Sequence, residues 1–281
     1  MPHVAVHHRT GSGPPAVFLH ANGIPPRAYL PFLDALGTGL DVHALATRSL
    51  VAETPPPPDL PWAQLGHDAL DFARSTFDEP VVAIGHSMGG TGWIEAVAAN
   101  PNAVRALVLI EPAMVRPWQA TALRWLPRTL GQRLTPAGPT RRKRDRWDDE
   151  AAFRASATRS GLYEGLSPEA FEAFVAAAIR PPDDAPQSDE RTLVFPKVWE
   201  AHWFDIPPNP WPAMAKVSVP VVAVRGRSSI FLDDVRWEGL LRGAPHAVRH
   251  QLVDHGHLLP LEAPAPTAQL VLDGLRTAVA R

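Results

Sequence analysis

Residues 85–89 read Gly-His-Ser-Met-Gly, and the four residues before them, Val81, Val82, Ala83 and Ile84, are all apolar. A serine at the end of a buried strand, with glycine two positions away on each side, suits one kind of chemistry. A tight strand-to-helix turn strains the backbone at the serine. The glycines let that turn close and let the next helix approach the strand. The hydroxyl then projects from the carboxyl edge of the sheet, where ligands bind in such folds. Ser87 is therefore a candidate nucleophile. The pentapeptide alone is a modest signal, but the apolar strand before it and the helical stretch "MGGTGWIEAVAAN" (88–100) after it make it a strong one. The competing reading is a serine that merely caps a helix.

A serine nucleophile needs a base, and the base needs a group to orient it. His255 and His257 both lie in "DHGHLLPLEAP" (254–264), between the last strand-like stretch and the final helix. For the orienting acid, the sequence offers two places. Asp233 and Asp234 follow the strand-like "VPVVAVRG" (219–226), but at the start of a helix, where an acid is normal for structural reasons. Glu111 ends the apolar run "LVLIE" (107–111), in the strand after the nucleophile's own. A carboxylate there is costly without a partner, and an imidazole would supply one. Glu111 is preferred. The other readings are Asp233 or Asp234, no carboxylate at all, or a Glu111 that caps backbone N–H groups or pairs with Arg116.

The elements that must position these residues alternate. Short apolar runs at 3–7, 15–23, 41–47, 80–87, 104–112, 219–226 and 247–254 read as strands. Amphipathic stretches at 27–37, 62–77, 88–100, 232–243 and 261–280 read as helices, and "ETPPPPDLP" (53–61) as a stiff connection. That order implies an α/β fold, a mostly parallel, doubly wound sheet with helices on both faces. Between Pro112 and about Val217 the strand pattern stops and helical spacing takes over. "SPEAFEAFVAAAIR" (167–180) is its clearest helix, with Ser167 as N-cap. The expected division is a core of 1–112 and 217–281 with a helical cap, 113–216, inserted between two strands. The basic run "TRRKRDRW" (140–147) inside it reads as a solvated loop or helix end.

Taken together, "FLHANG", "GHSMGG", "LVLIEPA", the inserted lid and "GHLLPLEAP" resemble the α/β-hydrolase superfamily over nearly the whole chain. The chain order of serine, acid and histidine agrees. The resemblance favours His257 over His255, because a glycine precedes it and the Leu-Leu-Pro-Leu-Glu-Ala-Pro run follows it. It also implies an oxyanion hole of two backbone N–H groups: that of Met88, and one from the "HANG" turn (20–23), with Asn22 preferred and Ala21 the alternative. One departure stands out. Family members usually carry an aspartate three residues past Gly226, and here that position is Ser229. Haloalkane dehalogenases place the acid at the strand end that Glu111 occupies. Their chemistry does not follow, since they and epoxide hydrolases need an aspartate whose ester intermediate water can cleave. Ser87 would form an ether.

The implied activity is that of a serine esterase, with a small or medium, hydrophobic carboxylic ester as substrate and no cofactor or metal. Six of the nine tryptophans fall in the lid: Trp118, Trp125, Trp147, Trp199, Trp203 and Trp211. Trp199 and Trp203, in the aromatic run 197–211, are candidates to line the pocket. The alternative is that they pack the lid's own core and its seam with the sheet. Other acyl hydrolysis, perhydrolysis or a non-catalytic binder on this scaffold remain as rival readings. The formal net charge of −2 gives no pull toward nucleic acid or an anionic membrane, and the chain has no cysteine. No signal peptide or spanning run is evident, which points to a cytoplasmic protein.

Overall fold

The computed structural model describes residues 3–116, 118–119, 135–206 and 208–280. Seven strands form one sheet: β1 (Ala5–Thr10), β2 (Pro15–Leu19), β3 (Asp41–Ala46), β4 (Val81–His86), β5 (Val104–Ile110), β9 (Val221–Gly226) and β10 (Val248–Leu252). Their order is β1-β3-β2-β4-β5-β9-β10. Only the edge strand β1 runs antiparallel; every other pairing is parallel. The expected α/β architecture is therefore present.

Two cores hold the sheet between helices, and the strands feed them alternately, as a period of two requires. Ala16 and Phe18 of β2, Val82 and Ile84 of β4, and Val222 and Val224 of β9 point into one core with α1 (Leu30–Leu36) and the last helix. Val17, Leu19, Val81, Ala83, Val221 and Ala223 point into the other. The short α2 (Arg48–Val51) follows β3, and the second core holds α3 (Ala63–Thr76) and α4 (Met88–Ala99). Burial on both faces is why these strands read as continuous apolar runs. Among the described residues, no helix is long and apolar enough to cross a membrane.

Between β5 and β9 lies the insert. It carries helices α5 (Ala137–Arg142), α6 (Glu150–Thr158), α7 (Pro168–Ala178), α8 (Lys197–Asp205) and α9 (Trp211–Met214). The α7 helix starts as its sequence implies, with Ser167 Oγ accepting the N–H of Ala170 at 3.2 Å. The insert is not purely helical. Residues Arg146–Trp147 (β6), Ile179–Arg180 (β7) and Arg191–Leu193 (β8) make a small antiparallel sheet. Strands of two and three residues are too short to show alternation in a sequence. The basic run pairs with acids of the same insert: Arg141 with Asp205, Lys143 with Glu200, and Arg146 with Asp184 and Glu190.

Two helices differ from their expected extents for one reason. The 27–37 stretch divides into a 3-10 turn (Pro26–Tyr29) and α1, and the last stretch into α11 (Leu259–Glu262) and α12 (Pro264–Val279). Prolines stand at the first turns of these pieces, where a missing N–H costs nothing. The helix after β9 is α10 (Asp234–Gly243).

Candidate active site

Strands β4, β5 and β9 all end at one edge of the sheet, and the loop after β10 comes to the same place. At the tip of β4, Ser87 has φ 51° and ψ −115°. Its neighbours explain how the chain tolerates this. A Cβ on Gly85 would lie 2.3 Å from the nitrogen of Gly90, and one on Gly89 would lie 2.2 Å from the carbonyl oxygen of Leu19. The elbow is held by Ser87 N–H donating to Ile110 (3.0 Å) and by Thr91 and Ala113 donating to the Ser87 carbonyl (3.1 and 3.2 Å).

At the tip of β5, Glu111 has φ 46° and is fully buried. Ser87 and Glu111 are the two non-glycine residues with positive φ among the described residues. Each such conformation costs about 1–3 kcal/mol, and such strain gathers at functional sites. Here both strained residues meet the same histidine. His257 Nε2 lies 2.9 Å from Ser87 Oγ, and His257 Nδ1 lies 3.1 Å from Glu111 Oε2. The structure thus brings Ser87, His257 and Glu111 together across the sheet edge.

The carboxylate is well supplied with donors. Gly226 N–H reaches Oε1 at 2.7 Å, and the Ser229 hydroxyl reaches Oε2 at 2.6 Å. Ser229 has no freedom in this role. Its oxygen already accepts the N–H groups of Phe231 and Leu232, both at 3.2 Å, so its own hydrogen is left for Glu111. Burial pushes Glu111 up, to about 8, against the opposing pull of Ser229, Gly226 and the Arg225 charge. Burial pushes His257 down, to about 4, with the Glu262 carboxylate opposing. The fixed donor at Ser229 favours the ionised acid, and the lowered imidazole stays neutral at pH 7, the state a base requires.

The His257 loop is clamped by Glu262, whose two oxygens accept the N–H groups of Gly256 (2.6 Å) and Leu258 (3.0 Å). Phe231 lies against the imidazole, with ring centroids 4.5 Å apart, and is 44% exposed. In the 20–23 turn, the N–H of Ala21 donates to the Tyr29 hydroxyl at 3.1 Å. Neither Asn22 N–H nor Met88 N–H has an acceptor among the described hydrogen bonds. The Asn22 side chain donates to the Glu200 carbonyl at 3.0 Å and ties the turn to the insert.

The other candidate acids are engaged elsewhere. Asp233 caps α10 through the Arg236 N–H (2.9 Å) and pairs with Arg116 (3.0 Å), while Asp234 pairs with the buried Arg225 at 2.6 Å. Among the described residues His255 makes no bond to Ser87.

The tryptophans require a correction. Trp199 is 3% exposed and Trp203 0%. Their indole N–H groups donate to Thr54 O (3.2 Å) and Ser49 Oγ (2.9 Å), and Trp203 stacks edge-on against Trp62. They join the insert to the core on the α3 side and offer no face to a ligand. A dense aromatic run signals burial, and burial at a seam looks the same in sequence as burial around a pocket. Trp147 packs within the insert on Phe153, Trp118 is exposed, and Trp125 lies outside the described residues.

Sequence reasoning did not find the supporting roles of Ser229, Glu262, Phe231 and Tyr29. For Ser229 the signal was its place, three residues past Gly226, where an acid was sought. Glu262 stood in the run after His257, and Tyr29 carried no signal beyond the apolar face of its turn.

A family model described as "Alpha/beta hydrolase family" matches residues 16–270. No curated protein matches the chain. Among solved structures, E-2-(acetamidomethylene)succinate hydrolase superposes with TM-score 0.74 at 18% identity, covering 95% of this chain and 93% of that one. A thermophilic esterase from Thermogutta terrifontis, with malate bound, gives 0.71 at 18%, covering 98% and 93%. The enol-lactonase from Burkholderia xenovorans gives 0.69 at 17%, covering 96% and 95%. At such identities the likeness is one of fold. With the family model spanning most of its length, this chain belongs to the alpha/beta hydrolase family.

Proposed function

We propose that the chain is a serine hydrolase that cleaves a small or medium carboxylic ester through an acyl-enzyme. The observation that carries this reading is the contact of His257 with Ser87 on one side, 2.9 Å, and with Glu111 on the other, 3.1 Å. Glu111, ionised, accepts the Nδ1 proton and so leaves Nε2 free to take one. His257 Nε2 removes the Ser87 proton as Oγ bonds to the ester carbonyl carbon. The carbonyl pair moves onto oxygen, and the N–H groups of Met88 and Asn22 face that charge. Met88 stands at the first turn of α4, where the helix dipole adds to the attraction. Collapse expels the alcohol, which receives the proton from His257. Water, deprotonated by His257, then attacks the acyl-enzyme and releases the acid and free Ser87.

Phe231, half-exposed against the imidazole, supports an apolar group on the substrate. Solved structures of like fold include an esterase, an enol-lactonase and the thioesterase domain of the curacin biosynthetic pathway, which supports acyl transfer to water as the reaction class. A serine at 229, where family members usually carry an aspartate, is the feature that favours a non-catalytic binder. With Glu111 on His257, a serine there no longer argues against catalysis.

A panel of p-nitrophenyl esters of increasing acyl length tests the proposal. The wild-type chain is expected to hydrolyse the shorter esters, and Ser87→Ala to lose about 10⁶-fold in kcat. Turnover by Ser87→Ala close to wild type would overturn it.

A further inference from the structure

Beside the site runs a hydrogen-bond chain that the reaction as written does not use. The N–H of Ala21 lies 3.1 Å from the Tyr29 hydroxyl, that hydroxyl lies 2.8 Å from His86 Nδ1, and His86 Nε2 lies 2.8 Å from the backbone oxygen of His257. Tyr29 and His86 are fully buried. The two ends are backbone groups with no choice of role, since an amide can only donate and a carbonyl can only accept. His86 therefore carries its proton on Nε2, and its Nδ1 accepts. The phenol donates to Nδ1 and takes the Ala21 N–H on its oxygen. Every group between the ends is left with one state. Burial holds His86 neutral and the Tyr29 phenol protonated, each far from the pH range in which it would switch.

We propose that Tyr29 and His86 act as one positioning unit that keeps the oxyanion turn and the base loop in register with the nucleophile. Tyr29 turns the N–H of Ala21 away from the site, which leaves the N–H of Asn22 as the donor of the 20–23 turn. His86 fixes the His257 backbone through its carbonyl. Because His86 is the residue before Ser87, all three parts of the machinery are tied to one side chain. The proposal rests on the acyl-transfer reading above. Its weight comes from geometry, because a displacement of about 1 Å at a reacting group can cost roughly a hundredfold in rate.

Three substitutions separate a chain from mere packing. Tyr29→Phe keeps the ring, which packs on Phe18 and His86 at 5.0 and 5.7 Å, and removes only the hydroxyl. His86→Asn sets an amide oxygen where Nδ1 stood and keeps an acceptor for Tyr29. His86→Gln sets an amide nitrogen where Nε2 stood and keeps a donor for the His257 carbonyl. On a p-nitrophenyl ester, with active sites counted by fluorophosphonate titration, Tyr29→Phe is expected to lower kcat about ten- to hundredfold with KM within about twofold. Added to His86→Asn it should cost that same factor again, whereas added to His86→Gln, where the Tyr29–His86 bond is already gone and only the Ala21 bond is left to lose, it should cost a clearly smaller factor.

An equal factor in all three backgrounds, or wild-type kcat in Tyr29→Phe, would overturn the proposal. Should Tyr29→Phe not fold, the two His86 variants carry the test alone: each is expected to lose about tenfold in kcat with KM kept, and wild-type kcat in either would overturn it. The two levels of the account fail separately. Absence of fluorophosphonate on Ser87 of the wild type defeats the acyl-transfer reading, while labelled Ser87 with an unimpaired Tyr29→Phe defeats only this one.

Discussion

The turns after β5 and β9 stand side by side at the carboxyl edge of the sheet, and they divide one task. The β9 turn, 226–232, supplies donors: the Gly226 N–H and the Ser229 hydroxyl. The β5 turn supplies the carboxylate, on a residue strained to φ 46°. The position where family members usually carry an acid has become a hydrogen-bond donor to the acid of the neighbouring strand. The carboxylate reaches His257 from β5, and the β9 turn beside it offers hydrogens instead of a second negative charge. Arg225, beneath the β9 turn, adds a positive charge behind Glu111 while its own partner is Asp234.

The largest effect is expected at Glu111. Glu111→Gln removes the charge that stabilises the imidazolium and sets an amide N–H against the donors that Oε1 or Oε2 now accepts, and kcat is expected to fall about 10⁴-fold. Asp233→Asn and Asp234→Asn, which touch α10 and Arg225, should stay within about threefold of wild type. A crippled Asp234→Asn beside an active Glu111→Gln would reverse the roles of the turns. Next in size is Ser229→Ala, which removes a hydrogen bond to a charged group. A loss of about tenfold or more in kcat is expected.

In the proposed mechanism the active pair is ionised Glu111 with neutral His257, and the two titrate as a unit. The rate should therefore rise with pH along a single limb between the values of about 4 for His257 and about 8 for Glu111, and hold its plateau to pH 9. Ser229→Ala takes a donor from the carboxylate, so its limb should move to higher pH. A limb that stays in place would show that Ser229 does not act through Glu111.

Smaller effects concern stability. Burial raises Glu111 to about 8 and lowers His257 to about 4, so the folded pair keeps one proton after the unfolded chain has lost both, and stability falls as pH rises from about 6.5 to about 8. Melting curves of Glu111→Gln should thus be flatter with pH there than those of wild type. At the seam, Trp203→Ala should destabilise by about 3–5 kcal/mol while leaving KM unchanged. A raised KM with unchanged melting would return Trp203 to the substrate pocket.

What could be read from the sequence follows from how local each signal is. Ser87 sits in a turn whose steric demands fall on Gly85 and Gly89, two residues to either side, so the pentapeptide and its flanks carry the information. Glu111 was legible because a carboxylate closing a buried strand needs a partner. The choice of partner was not, since it depends on which strands become neighbours. The donor role of Ser229 needed the β5–β9 pairing, and Tyr29 needed the approach of a turn and an elbow 57 residues apart. The Trp199 and Trp203 error has the same origin, because composition reports that a side chain is buried and not what it is buried against.

The most direct test of the central claim is the rate at which a fluorophosphonate modifies the chain, with the adduct mapped by peptide mass, in wild type and in Glu111→Gln. The account predicts an adduct on Ser87 alone, formed orders of magnitude more slowly when Glu111 is replaced. An adduct on another residue, or equal rates in the two proteins, would contradict it.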